Sequence, residues 1–361
     1  MHHPIKESNM RELAEYMHQL WEHPRLKFLF FEMTDQCNLN CLHCGSSCVG
    51  GNHTYLEYDL IGKVMRSVSE RYDASQIMIC ITGGEPMLHS DIYRTVRTAH
   101  ELGFPVGMTS NGTLINERAA KSLAFAGLDT VAISLDGIAD THDEFRRFSG
   151  SFTRAMHGVH ALRDAGIESQ AITVIHKNNI HQLEEMFEFF RNDGFYSWRL
   201  VNIEPIGRAN DNKELLLDAK DMTRLLNFIR EKRFDNTNDM DVTYGCSHFL
   251  TYDYERDVRD FYFQCGAGTQ IASIMANGDI GACLDIERRD DLIQGNVHID
   301  DFIDVWENRF HEFRFDRAEK SLVCKGCEYR NVCMGDSAHT WNYDKNEPNY
   351  CVMKMLTKQL M

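Results

Sequence analysis

Three cysteines stand within eight consecutive residues, Cys37-Asn-Leu-Asn-Cys41-Leu-His-Cys44. Thiolates at this spacing suit iron–sulfur clusters or zinc, and a structural zinc site needs a fourth donor, for which Cys48 stands close by. At this cysteine content the spacing would arise by chance on the order of 0.01 times per chain, so it is informative. A second concentration, Cys246, Cys265, Cys283, Cys324, Cys327, Cys333 and Cys351, fills the C-terminal third. Twelve cysteines in a chain without a secretory apolar segment point to metal or redox chemistry, because the cytosol keeps thiols reduced.

These residues need elements to position them. A helix is expected over 8–22, then a short aromatic strand over 27–34 that runs straight into the first cysteine loop. Helical patterns follow at 58–72, 90–102, 116–126, 151–165, 179–192 and 218–233, and apolar strands at 77–82, 106–109, 130–135, 169–175 and 198–203. Strands regularly separated by helices predict a parallel sheet, and six such units make an open, partial (βα)6 TIM-like barrel with its chemistry at the C-terminal strand ends. The division expected is an N-terminal helical segment at 1–26, the barrel at 27–235 and a small cysteine-rich domain at 242–355, with the polar run 235–241 between the last two. Cysteine density in that last region predicts a metal-stapled fold.

Further motifs fall just after expected strands: Thr82-Gly83-Gly84-Glu85-Pro86, Ser110-Asn111-Gly112, Ser134-Leu135-Asp136-Gly137 and Glu204-Pro205-Ile206-Gly207. With Cys37, Cys41 and Cys44 after the first strand, this series resembles the radical S-adenosylmethionine (SAM) superfamily. The resemblance implies that the three cysteines bind three irons of a 4Fe–4S cluster and leave the fourth iron to the amino and carboxylate groups of SAM, in which case Cys48 is not a ligand. It implies reductive cleavage of SAM to a 5′-deoxyadenosyl radical that abstracts a substrate hydrogen. It also assigns Gly83, Gly84, Glu85 and Pro86 to the SAM amino group, Ser110 and Asn111 to a segment closing on SAM, and Ser134 and Asp136 to the ribose. Arg146, with Arg147 competing, is assigned to the SAM carboxylate. Residues 204–207 are assigned either to the adenine pocket or to a plain turn.

The C-terminal pattern is similar to the SPASM extension of these enzymes, which implies an auxiliary iron–sulfur cluster on Cys324, Cys327, Cys333 and Cys351, with four-thiolate zinc the alternative. A second auxiliary site would use Cys265 and Cys283, but the cysteine expected four residues after Cys333 is Ser337. Cys246, His339, Asp336 or a substrate group would have to complete that shell, or the two cysteines are buried thiols.

The resemblance, strongest to SPASM-containing maturases, predicts a radical SAM oxidoreductase acting on a peptide or small protein by crosslinking, thioether formation, oxidation or epimerisation. The alternatives are a small molecule such as a tetrapyrrole or sugar, and a non-catalytic electron carrier that would have no use for SAM motifs. With about 26 residues before the first strand, a peptide substrate is expected to be captured by a separate leader-recognition protein or by the barrel itself, and reductive cleavage calls for an external electron donor. A formal charge of −16 argues against a nucleic-acid partner, and the lack of a long apolar run against a membrane, so the expected setting is cytoplasmic. The substrate and the catalytic acid or base have no signature in the sequence.

Overall fold

The computed structural model describes residues 3–46, 48 and 53–357. After the opening helix α1 (Pro4–Glu22), the chain alternates β1 (Phe28–Glu32), α2 (Tyr58–Arg71), β2 (Met78–Thr82), α3 (Ile92–Glu101), β3 (Val106–Ser110), α4 (Glu117–Ala126) and β4 (Thr130–Ser134). It continues with α5 (Asp140–Arg146), α6 (Ser151–Asp164), β5 (Glu168–Ile175), α7 (Leu183–Asp193), β6 (Ser197–Asn202) and α8 (Ala219–Phe234). The six strands β1 to β6 are parallel and adjacent in sequence order, the partial (βα)6 barrel expected.

Each element buries the face that its pattern dictates. In α2, Ile61, Val64, Met65 and Val68 recur at helical spacing and are buried against the sheet. Along β5 burial alternates residue by residue. Trp198 of β6 donates its indole N–H to the Thr173 hydroxyl of β5 (2.8 Å), which donates to the Leu135 carbonyl (2.6 Å), so one chain of hydrogen bonds joins two strands and the residue just after β4 inside the core.

The sheet does not end with the barrel. β7 (Asp241–Tyr244) continues it in parallel beyond β6. At the other edge β8 (Ile271–Ile274) lies parallel to β1, followed antiparallel by β9 (Asp279–Gly281) and β10 (Gly295–Asn296), making ten strands in all. The segments on either side of residue 242 therefore share one sheet, and the polar run at 235–241 leads directly into β7.

Candidate active site

β1 delivers the chain into the first cysteine loop, and neighbouring strand ends hold that loop from several sides. The Gly84 and Glu85 N–H groups donate to the carbonyls of Thr34 (2.7 Å) and Gln36 (2.9 Å). A Cβ on Gly84 would stand 2.2 Å from the Gln36 carbonyl oxygen, so only glycine lets the turn after β2 lie this close to the residue before Cys37. Asn38 donates to the Thr113 hydroxyl (2.8 Å) and accepts from the Asn111 amide (2.9 Å). Beyond β6, Arg208 donates from its backbone to the Cys44 carbonyl (3.1 Å) and from Nε to the Cys41 carbonyl (2.7 Å). Gly207, at φ +52°, packs so tightly there that a Cβ would meet the Cys44 oxygen at 2.3 Å.

The turn after β2 is organised by Glu85, whose buried carboxylate accepts from the Ser110 hydroxyl (2.8 Å), the Asn111 N–H (2.8 Å) and the Met87 N–H (3.2 Å), next to Pro86. Burial pushes its pKa up. Ser110 and Asn111 are thus brought to the same place as Gly83 and Gly84. Ser134 sits half-buried at the end of β4, opposite Ile172. Asp136 lies just beyond and is fully buried, its carboxylate accepting from the Val174 N–H (2.8 Å) and paired with Arg146. Arg146 also donates to Cys41 Sγ at 3.5 Å, while its Nε–H is buried with no partner among the described residues. Arg147 faces solvent, whereas Arg146 is buried beside Cys41.

Cys37, Cys41 and Cys44 lie close enough for each to act on the next, with Arg146 beside them. Burial pushes the Cys37 thiol up to about 11 and raises Cys41, and a hydrogen bond with Cys48 draws Cys44 down to about 5. Cys37 and Cys41 are thus costly to ionise by themselves, which suits a cluster whose positive irons offset the thiolate charge.

In the C-terminal region Cys324, Cys327, Cys333 and Cys351 line one small pocket together with Arg330 and Lys354. Their donor set fits a four-thiolate cluster. Cys265 and Cys283 are neighbours, with Cys265 Sγ accepting from the Ala338 N–H at 3.4 Å. The adjoining Ser337 hydroxyl is buried with no hydrogen-bond partner among the described residues. The side chains expected to complete this second shell have partners of their own: Cys246 donates to the Asn202 carbonyl (3.7 Å), Asp336 is bound to His248 and the Phe249 N–H (both 2.9 Å), and His339, near enough for its charge to act on Cys265, is bound to Glu204 (2.8 Å). Buried Arg259 places this segment by donating to the carbonyls of Cys246 (2.9 Å) and His248 (2.7 Å). Glu204 is therefore no plain turn residue. It joins the barrel to His248 and His339, a contact for which the sequence carries no local signal.

A parallel barrel with a buried three-cysteine loop at the C-terminal ends of its strands, joined to a second cysteine pocket, defines an iron–sulfur α/β-barrel enzyme. The chain belongs to the radical SAM superfamily and carries the SPASM extension: the Radical SAM superfamily pattern matches residues 31–190, and that of the SPASM iron–sulfur cluster-binding domain residues 265–328. Those domains bring a 4Fe–4S cluster with SAM and auxiliary clusters as cofactors. The chain is similar to the AdoMet-dependent heme synthase of Nitratidesulfovibrio vulgaris, 29% identical over 336 residues, which cover 88% of this chain and 89% of that one. It is also similar to the mycofactocin maturase MftC of Mycobacterium tuberculosis, 30% identical over 316 residues, covering 85% and 77%. The fold matches that of Streptococcus suis SuiB bound to S-adenosylmethionine with a TM-score of 0.71 at 19% identity, over 86% of this chain and 73% of that one. Among the described residues no helix is long and apolar enough to cross a membrane.

Proposed function

We propose that this radical SAM enzyme modifies a tetrapyrrole. The observation that carries the reading is the likeness to a heme synthase along nearly the whole of both chains. The peptide substrate expected from the maturase-like motifs gives way to the small-molecule alternative on this ground. A peptide remains the competing reading, because the mycofactocin maturase is as similar over a smaller share of its own length.

When bound, the cluster on Cys37, Cys41 and Cys44 supplies the electron that cleaves SAM to a hydrogen-abstracting radical. The chain's own part is to bind and orient. The N–H groups of Gly84 and Glu85 are used by the cysteine loop and the carbonyls of Glu85 and Pro86 accept from Leu88 and His89, so the carbonyl oxygens of Gly83 and Gly84 are the acceptors the turn can offer an amino group. Ser110 and Asn111 are fixed beside that turn by Glu85, and Ser134 and Asp136, at the end of the fourth strand, are the residues that would hold the ribose. The unpartnered Nε–H of Arg146 is a donor left over for a carboxylate. Cys324, Cys327, Cys333 and Cys351 hold one auxiliary cluster, and Cys265 and Cys283, beside the orphaned Ser337 hydroxyl, hold part of another.

The test is anaerobic turnover of the reconstituted enzyme with SAM and dithionite, offered heme, coproporphyrin III or its iron complex. A tetrapyrrole should raise 5′-deoxyadenosine formation well above the substrate-free rate and change in mass. If none does so, while a peptide encoded beside this gene does, the tetrapyrrole assignment fails.

A further inference from the structure

Glu204 leaves the end of β6 and meets two imidazoles from the C-terminal region. One carboxylate oxygen lies 2.7 Å from Nε2 of His248, the other 2.8 Å from Nε2 of His339. All three donor atoms lie within 4.8 Å of one another. The site is enclosed: His248 is fully buried, and the side chains of Glu204 and His339 are 12% and 11% exposed.

The surroundings are those of coordinating imidazoles. The far nitrogen of His248, Nδ1, is bonded to Asp336 Oδ2 at 2.9 Å, and the other oxygen of Asp336 accepts from the Phe249 N–H at 2.9 Å. A carboxylate behind an imidazole fixes the ring's orientation and raises its basicity toward a metal. Asp336 holds a left-handed backbone at φ +64°, a strain that a non-glycine residue keeps only where its surroundings over-determine it. Arg259 pins the His248 carbonyl from behind. On the remaining side, Asp285 is near enough for the charges of Glu204 and His339 to act on it, and it also approaches the cysteine loop at Gly45.

We propose that Glu204, His248 and His339 form a mononuclear site for a divalent transition metal, zinc or ferrous iron, with ligands other than the cysteines and with Asp285 nearby. Two imidazoles and one carboxylate suit zinc or ferrous iron, whereas calcium and magnesium prefer oxygen donors alone. Binding would replace the two Nε2···O contacts by metal–nitrogen and metal–oxygen bonds, any proton on either Nε2 passing to solvent. A fourth donor would come from water or from Asp285, which is near enough for the charges of Glu204 and His339 to act on it.

The probe is Zn2+, titrated into anaerobically reconstituted holoenzyme and followed by metal analysis after gel filtration and by zinc-edge X-ray absorption. Wild type should retain one zinc per chain in a shell of nitrogen and oxygen at about 2.0–2.1 Å, with unchanged iron. His248→Ala and His339→Ala should each weaken retention at least tenfold, and Asp336→Asn by about 10–100-fold. Glu204→Gln, nearly isosteric, guards against misfolding: it should keep full iron content and the wild-type denaturant midpoint and still lose zinc. No zinc on wild type, sulfur in its shell, or retention undiminished in His339→Ala and Glu204→Gln would each overturn the assignment and leave a network of hydrogen bonds alone.

Discussion

At the scale of single residues, Glu85 is the pivot of the SAM-side turns, because its carboxylate satisfies Ser110, Asn111 and Met87 at once inside the fold. Glu85→Ala strands these donors without water, and a buried donor left unpaired costs about 1–3 kcal/mol. The variant should unfold at lower denaturant and bind SAM more weakly, read by denaturant titration and by equilibrium binding; stability equal to wild type would show the carboxylate to be dispensable. His142 and His176 give an acid limit. Burial, joined by the charge of Arg146, lowers both to about 3, while an unfolded histidine titrates near 6.5. Above pH 6.5 both states leave them neutral and neither residue alters stability. Below it the unfolded chain takes up protons that the folded chain refuses, so stability falls by about 1.4 kcal/mol per pH unit for each histidine. The melting temperature should drop between pH 6.5 and pH 5, and His176→Asn should flatten the drop; an unchanged slope in that variant would count against the assignment.

At the scale of elements, the cysteine loop keeps its shape because the segments after β2, β3 and β6 clamp it. Gly207→Ala is the sharpest probe, since its Cβ would collide with the Cys44 carbonyl and its φ of +52° disfavours any side chain. The variant is expected to lose the iron held by Cys37, Cys41 and Cys44 and to stop cleaving SAM, while the four-cysteine pocket keeps its iron; full iron content would sink this account of the clamp. The same elements decide what the sequence made legible. The six barrel strands are apolar runs of five to eight residues punctuated by amphipathic helices, and such local periodicity is visible without a structure. α5 is a seven-residue polar helix, and β9 and β10 are two or three residues long with glycine in each, so neither type carries a period to detect. The cysteines announced themselves by residue type and spacing. The Glu204–His248–His339 contact did not, since its three members meet only through the tertiary fold; nothing local in the sequence marks His248 or ties it to Asp336 and His339.

At the scale of the whole molecule, two cysteine sites built on separate ligand sets should load independently. Anaerobically prepared protein is expected to contain clearly more iron than one 4Fe–4S cluster. Cys37→Ala/Cys41→Ala/Cys44→Ala should lose all 5′-deoxyadenosine formation yet retain the auxiliary iron. Iron no greater than one cluster, with stoichiometric zinc in the four-cysteine pocket, would remove the auxiliary-cluster assignment.

β1 carries the first cysteine loop, and on one side it pairs with β2, its near neighbour in the chain. On the other it pairs with β8, which lies most of the chain away. During synthesis on the ribosome, β1 therefore emerges long before the strand that covers its outer edge, and an uncovered edge is a template for pairing with any other extended chain. A nascent barrel must wait with that edge exposed until the SPASM region is made. Translation arrested before residue 271 would yield a species that already holds its radical-site cysteines but is prone to aggregate, and chaperone occupancy should be greatest over that interval.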